Sequence, residues 1–223
     1  MDLTPIWLTL KLAGITTVLL LAIGLPVAWW LSRGRSLFKI IIEAIITMPL
    51  VLPPSVLGFY LLLAFSPQHG PGKWLLRTFD IQFVFSFPGL VLASVIYSMP
   101  FMMGPIKSAL QQLPPSLSQA SYSLGKSPWQ TFIHVLVPNI KPSLLTAIVL
   151  TFAHTLGEFG VVLMIGGNIP NVTRVASIAV YDAVEQMDYG TANTYSMILF
   201  AVTFILVISV FIFNRYQLKS PLE

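Results

Sequence analysis

Five long apolar stretches constrain this chain more than any other feature of its sequence. They cover roughly residues 6–31, 40–65, 86–106, 143–166 and 193–214. Each could cross a hydrocarbon core of about 30 Å, which requires about 20 helical residues. Backbone polar groups must be paired in lipid, and these runs lack the short alternating pattern of barrel strands. We therefore predict an all-α polytopic membrane protein with five transmembrane helices.

The composition supports this class and limits the domain count. Of the 223 residues, 56% are hydrophobic and 9% are charged, whereas soluble domains have roughly 25% charged residues. Since the five spans occupy most of the chain, we predict that residues 1–223 form a single transmembrane domain. The chain contains no cysteine, which excludes disulfides, thiol catalysis and cysteine metal sites.

The positions of the basic residues predict the orientation of the spans. We place the N-terminus outside and the C-terminus in the cytoplasm, as the positive-inside rule favours. The basic residues on the cytoplasmic side are then Arg33, Arg35, Lys39, Lys107, Lys126, Lys141, Arg215 and Lys219. Lys73, Arg77 and Arg174 lie outside, and Lys11 can snorkel to the outer interface. This bias accounts for the net charge of +4, so no nucleic-acid partner is predicted.

Residues 107–141 are predicted to form a cytoplasmic loop that contains two short helices. Two helix-start signals support this interpretation, because Ser116 with Gln119 and Ser127 with Gln130 have the spacing of capping boxes. Each signal predicts the beginning of one helix.

The extent of each loop helix follows from its breaker residues. The first is predicted over 117–124, with Gly125 as the terminating residue. The second begins at Pro128 and is predicted to end before Pro138. Its apolar stripe consists of Trp129, Phe132, Ile133 and Leu136. Three surfaces could cover this stripe: the membrane or the chain's own spans, a soluble partner, or a second copy of the chain.

Prolines interrupt two of the predicted spans. Pro49, Pro53 and Pro54 lie in the second span, and Pro100 and Pro105 lie in the third. Each removes a backbone hydrogen bond from a helix. Such breaks persist in a membrane where protein or water covers the freed groups, and they are typical of transporters. We therefore predict a broken second span that lines a pathway.

Intramembrane polar residues provide further candidates for that pathway. Glu158 is an acid deep in the fourth span, one helical turn after His154, and such a group is a candidate functional site. We favour a structural role in which Glu158 pairs with backbone or hydroxyl donors; a gate residue and a metal or acid–base site are the alternatives. The candidate path or gate residues are Pro53, Pro54, Ser55, Thr151, Thr155 and Glu158.

The loop sequence QASYSLGKSPWQTFIHVLVP resembles the cytoplasmic loop of permease subunits of ABC importers. That loop reads E-A-A, then a glycine four positions on, and L-P about a dozen positions later. Gln119, Ala120 and Ser121 occupy the E-A-A places, Gly125 the glycine and Pro138 the last proline. Gln119 replaces the family's acidic residue and Ser121 its second alanine. The resemblance implies contact with an ATPase through these residues together with Leu124, Trp129, Phe132 and Ile133.

Two further segments resemble the oxyanion branch of this family, the molybdate and sulfate permeases. They are LVLPPSVLG over residues 50–58 and LGEFGVVLMIGGNIPNVTRVASIAVYDAV from Leu156 onwards. Sulfate permeases of this branch are usually longer, with an extra N-terminal span. The resemblance therefore favours molybdate, with tungstate inseparable from it, and leaves sulfate or thiosulfate as the alternative cargo.

The resemblance also implies a fold, a set of partners and a mechanism. It implies the type I, MetI-like importer fold, a homodimer, two cytoplasmic ATPase subunits and a periplasmic or extracellular molybdate-binding protein, in the bacterial inner membrane. The chain itself would not be an enzyme and would hold no cofactor. It lacks a phosphate-binding loop motif, so ATP and magnesium would bind the ATPase. A membrane scaffold or channel subunit and an intramembrane enzyme are the hypotheses from other classes.

Overall fold

The computed structural model describes residues 2–34, 36–68 and 70–218. All regular structure in these ranges is helical, which confirms the predicted all-α class. The helices are α1 (Thr4–Ser32), α2 (Leu37–Thr47), α3 (Pro54–Phe65), α4 (Gly70–Phe79), α5 (Phe87–Gln112), α6 (Pro115–Ser123), α7 (Pro128–Thr131), α8 (Val137–Asn139), α9 (Lys141–Leu156), α10 (Gly160–Gly166), α11 (Ala176–Glu185) and α12 (Tyr189–Leu218). A 3₁₀ turn, Met48–Leu50, follows α2, and a π-helical turn, Phe132–Leu136, joins α7 to α8.

The described helices account for the predicted number of spans. Three of them are individually long and apolar enough to cross a membrane: α1, α5 and the Tyr189–Ile212 part of α12. Two bent pairs meet the same criteria together, Leu37–Leu50 with Pro54–Phe65 and Pro128–Asn139 with Lys141–Leu156. Counting each bent pair as one span gives five within the described ranges, although the second pair joins α9 to the second loop helix and not to α10.

The second predicted span is broken, as its prolines indicated. The two halves of this span meet at an angle of 114°. Pro54 is the first residue of α3, and the preceding Pro53 has an extended ψ of 135°. A proline suits the first helical position because its missing N–H is not needed there. The prolines therefore end one helix and start the next.

The third predicted span is not interrupted, so this part of the prediction was wrong. Helix α5 continues through both Pro100 and Pro105. Pro100 is buried, and the following residues Met102 and Met103 are buried as well. A helix in a membrane can continue through a proline when neighbouring helices pack around it and satisfy the backbone groups that the proline leaves free. Helix α5 packs against both α1 and α9, which provides that support.

The fourth predicted span is divided, although its sequence pattern predicted one helix. Helix α9 ends at Leu156 and α10 begins at Gly160. The backbone N–H of Gly157 donates to the carbonyl of His154 at 3.1 Å, which tightens the last turn of α9. The Ser177 hydroxyl donates to the carbonyl of Glu158. These bonds satisfy backbone groups that a helix would otherwise pair.

Two buried apolar clusters hold the helices together, one at each end of the bundle. The inner cluster lies at the end predicted to be cytoplasmic and contains Leu20, Ala28, Leu31, Met102, Met103, Ile106, Leu110, Phe132, Leu136, Ile140 and Ala147. The outer cluster contains Leu8, Leu12, Leu61, Leu90, Ala93, Val161, Val162, Ile165, Val175 and Ile178. Helices α1 and α5 contribute to both clusters and form the centre of the domain.

Helix α1 is also fixed by a polar contact near its outer end. The Thr9 hydroxyl donates to the Pro5 carbonyl at 2.7 Å and accepts from the backbone N–H of Ala176 at 2.7 Å. Ala176 is the first residue of α11. Thr9 is buried, so this bond connects α1 to the beginning of α11 inside the protein.

Candidate functional site

The first candidate region is the loop that follows α5. Helix α5 extends to Gln112, beyond the predicted loop start at 107, and α6 then covers Pro115–Ser123. The predicted capping box at Ser116 is wrong, because Pro114 occupies the N-cap and no side chain caps the helix. The helix begins two residues earlier than predicted, since Pro115 provides the fixed φ that suits the first helical position.

The end of α6 agrees with the sequence pattern. Gly125 has a φ of +75°, a left-handed conformation that glycine adopts without steric cost. The N–H of Gly125 donates to the Tyr122 carbonyl at 2.9 Å, and the N–H of Lys126 donates to the Ser121 carbonyl at 3.1 Å. These two bonds define a Schellman motif. Gly125 therefore ends the helix as predicted and turns the chain towards the second helix.

The second loop helix begins as predicted but ends later. The Ser127 hydroxyl accepts from the N–H of Gln130 at 3.2 Å, and the Gln130 side chain accepts from the N–H of Ser127 at 3.0 Å, which confirms the capping box. The expected end before Pro138 is wrong, because the helical path continues to Asn139. A π-helical turn precedes Pro138. Such a turn shifts the hydrogen-bond register and lets the chain continue through a residue without an N–H.

The apolar stripe of this second helix is divided between the inside and the surface of the protein. Phe132 is 2% exposed and Leu136 is also buried. The Phe132 ring stacks on Trp29 of α1 with centroids 4.4 Å apart. Trp129 is 53% exposed, and Ile133 is exposed too. Phe132 therefore anchors the loop to the chain's own core, whereas Trp129 and Ile133 are on the surface of the single chain.

A hydroxyl pair joins the two loop helices. The hydroxyls of Ser121 and Thr131 are hydrogen-bonded at 2.8 Å, and both residues are buried. The family's alanine at the Ser121 position could not make this bond. Gln119 and Ala120 are exposed on the adjacent part of α6. The three residues at the E-A-A places therefore have different environments, one internal and two on the surface.

Contacts from α1 to this loop were not predicted from the sequence. The Arg33 guanidinium lies over the Trp29 ring at 4.0 Å and donates through Nη2 to the Tyr122 hydroxyl at 2.9 Å. Leu124, two residues further along the loop, is 79% exposed. The positive-inside pattern indicated where Arg33 lies, but no local pattern connects it to Tyr122. These contacts support a loop whose exposed tip contains Leu124.

The second candidate region is a cavity beside the two helix breaks. It has a volume of about 410 Å³ and is lined by Pro54, Ser55, Tyr97, His154, Gly157, Glu158, Phe159 and Gly160. Three predicted path residues, Pro54, Ser55 and Glu158, thus come together around one space. Pro53, Thr151 and Thr155 do not line it. Tyr97 of α5 is a lining residue that the sequence patterns did not indicate.

Glu158 lies in the break between α9 and α10, not on a helical face as expected. Its side chain is buried, at 3% exposure for the residue. The hydroxyls of Ser94 and Ser98 on α5 donate to its two carboxylate oxygens, the second at 2.7 Å. These donors are of the kind that a structural role for Glu158 requires. These two hydrogen bonds connect α5 to the break, and each of them uses one oxygen of the carboxylate.

The polar contacts continue from Glu158 into α9. The Ser98 hydroxyl is 3.0 Å from Thr155 Oγ1, and Thr155 donates to the Thr151 carbonyl at 3.0 Å. Both threonines are buried. They lie behind the cavity wall and support the Ser98 side of the Glu158 contact. Within the described ranges, no group of three or more histidine, cysteine or acidic side chains could hold a metal ion.

Close packing of α3 on α10 shapes the wall of this cavity. A Cβ atom at Gly58 would lie 2.8 Å from Met164 Cβ and 3.1 Å from Val161 Cα. Only glycine therefore fits at this crossing without moving α10. Since Pro54 and Ser55 begin α3 and Gly160 begins α10, the crossing sets how the two broken spans face each other.

The fold and these two regions define an integral membrane transport component, and sequence comparison agrees. Residues 21–220 match the family described as binding-protein-dependent transport system inner membrane component. The chain belongs to this family. It is a multi-pass membrane permease in which a cavity at broken helices and a structured loop lie on one scaffold.

Two individual relatives are permeases whose names state a cargo. The chain is 46% identical over 219 residues to the molybdenum transport system permease protein ModB of Azotobacter vinelandii, covering 97% of this chain and 96% of that protein. It is 32% identical over 202 residues to the sulfate transport system permease protein CysT of Escherichia coli, covering 91% of this chain and 73% of that protein.

Solved structures show the same fold at low sequence identity. A bacterial ABC transporter involved in the import of the acidic polysaccharide alginate matches with a TM-score of 0.79 and 17% identity, over 98% of this chain and 80% of that chain. The MetNI methionine ABC transporter in an inward-facing conformation matches with a TM-score of 0.71 and 19% identity, over 95% and 94% of the chains. These matches confirm the predicted MetI-like importer fold.

Proposed function

We propose that this chain is the permease subunit of an ATP-driven importer that moves molybdate across the cytoplasmic membrane. The observation that carries this proposal is the 46% identity to a molybdenum permease over nearly the whole of both chains. The corresponding identity to a sulfate permease is 32%. Tungstate has the same charge and shape as molybdate and is included with it. Sulfate or thiosulfate import is the second candidate.

The loop after α5 has the features needed to receive a separate ATPase. Its two helices are fixed from inside by Phe132 on Trp29 and by Ser121 on Thr131. A rigid loop of this kind can transmit a displacement, because packed elements move as units. Its apolar side chains on the surface, Leu124, Trp129 and Ile133, would provide the contact area for the ATPase.

The proposed assembly contains two copies of this chain, two ATPase subunits and a binding protein that delivers the anion to the outer face. ATP and magnesium would bind the ATPase subunits. Alternating access would then open the cavity at the helix breaks first to the outer side and then to the cytoplasm. Broken helices near the membrane centre are the usual place for a transported ion to be held.

The cargo is tested by uptake of labelled molybdate into cells that lack their own molybdate importer. The chain is expressed together with its ATPase and binding protein, and a matched culture omits only this chain. We expect uptake that depends on the chain and that persists in excess sulfate. Equal competition by sulfate would favour the second candidate. Absence of chain-dependent molybdate uptake would refute the proposed function.

A further inference from the structure

His154 lies in the wall of the cavity and has no role in the function proposed above. It is in the last turn of α9 and lines the same space as Tyr97, Ser55 and Glu158. Its ring stacks on Phe101 with centroids 3.9 Å apart and planes 23° apart. A second ring, Tyr97, lies 4.9 Å away. The imidazole is therefore held in one orientation by two aromatic rings of α5.

The hydrogen bonding of this ring is incomplete. Its Nε2 atom is buried and has no hydrogen-bond partner within the described part of the chain. Buried N–H groups without a partner are rarer in proteins than buried acceptors with an unused lone pair. The favoured neutral tautomer therefore has its proton on Nδ1. Nδ1 then carries the N–H that His154 can donate, and Nδ1 is not among the buried polar side-chain atoms that lack a partner in the described part of the chain.

Among the groups around the cavity, the other side chains that carry a donor are the hydroxyl residues Ser55 and Tyr97. The two carboxylate oxygens of Glu158 accept hydrogen bonds from the hydroxyls of Ser94 and Ser98. The eight lining residues include no lysine or arginine. His154 is therefore the lining side chain that can offer a nitrogen donor. The Ser55 hydroxyl, exposed at the beginning of α3, lines the same space and can donate a second bond.

We infer that His154 is an anion-contact residue, whose imidazole N–H donates to a tetrahedral oxyanion during its passage through the cavity. This inference rests on the proposed function, because it takes the cavity as part of the path. An anion that leaves water loses strong hydrogen bonds, and the cost is large unless protein donors replace them. A hydrogen bond to a charged oxygen is among the stronger ones available to a protein.

The experiment compares two substitutions of the same side chain. His154→Phe keeps an aromatic ring against Phe101 but removes the nitrogen donor, and His154→Gln restores an N–H donor without the ring. Ser209→Ala is the control, because the Ser209 hydroxyl donates to the Ile205 carbonyl of its own helix. The complex with its ATPase and binding protein is reconstituted in proteoliposomes, and molybdate uptake and ATP hydrolysis are measured together.

We expect His154→Phe to reduce molybdate uptake per ATP hydrolysed by about tenfold or more, the effect of losing one hydrogen bond to a charged group. Assembly and the ATP hydrolysis stimulated by the binding protein should stay at the parent level. His154→Gln should recover part of the uptake, and Ser209→Ala should match the parent. A purely structural role would not produce this separation between uptake and hydrolysis.

Each other outcome has a defined meaning. Parent-level uptake by His154→Phe would overturn the inference and leave the proposed function intact. Failure of both His154 variants to assemble would assign the side chain to packing and would also overturn it. Equal losses of uptake in the two assembled variants would show that the ring, not the donor, matters. Absence of molybdate uptake by the parent complex would instead refute the proposed function.

Discussion

Replacing Glu158 with alanine tests whether its side chain holds α5 against the break between α9 and α10. The carboxylate accepts hydrogen bonds from the hydroxyls of Ser94 and Ser98, and the residue is almost completely buried. After the substitution, Ser94 loses this partner. Ser98 keeps a second contact, because Thr155 Oγ1 lies 3.0 Å from its hydroxyl. The loss of pairing is therefore expected mainly at Ser94.

The size of the effect follows from these contacts. An unpaired buried hydroxyl costs about 1–3 kcal/mol, and each buried methylene group removed with the side chain adds about 0.8 kcal/mol. Because alanine keeps the Cβ, one methylene group is lost, and the two contributions together give a loss of about 2–4 kcal/mol in the free energy of unfolding. Glu158→Gln should cost about 1 kcal/mol, because its amide can still accept one bond and a rotated serine hydroxyl can accept the other.

Thermal unfolding of the purified protein in detergent measures both variants. Glu185→Ala is the control, because Glu185 is an acid on α11 whose bond from the Tyr181 hydroxyl is exposed to solvent, and it should change stability by no more than about 0.5 kcal/mol. A melting temperature of Glu158→Ala equal to that of the parent would refute the bracing role. A stable Glu158→Gln protein without molybdate uptake would instead favour the gate interpretation.

Two further substitutions test the loop and the helix crossing. Leu124→Asp, at the exposed position beside Gly125, should abolish co-purification with the ATPase while the melting temperature stays at the parent value; retained co-purification would contradict the docking role of the loop. Gly58→Val should destabilise the protein by about 1–3 kcal/mol, because the added Cβ would meet Met164 at 2.8 Å. Gly14→Ala, with no atom within 4 Å of its added Cβ, should be at least as stable as the parent in the same unfolding measurement.

Local features of the structure were predictable from the sequence where neighbouring residues determine them. The capping box at Ser127 and the left-handed turn at Gly125 depend on residues within one helical turn. The dense prolines of the second span also produced the predicted break. In each case the signal and the structure that it determines lie within a few positions of each other, so tertiary packing had little to change.

Other features depend on packing between distant segments, so they could not be predicted from neighbouring residues in the sequence. The spacing of Trp129 and Phe132 indicates a common stripe, but Trp29 determines which of the two rings is buried. The partners of Glu158 come from α5, 64 and 60 positions earlier. The predicted interruption at Pro100 and Pro105 was wrong for the same reason, because packing on α1 and α9 maintains the helix around them.

Helix α1 is attached near both of its ends, and this has a mechanical consequence. With 29 residues, it is about 43 Å long at 1.5 Å per residue. Arg33 and Trp29 join one end to the loop helices, and Thr9 joins the other to the first residue of α11. Because both attachments lie on one continuous helix, a displacement of the inner loop is expected to move the start of α11 as well.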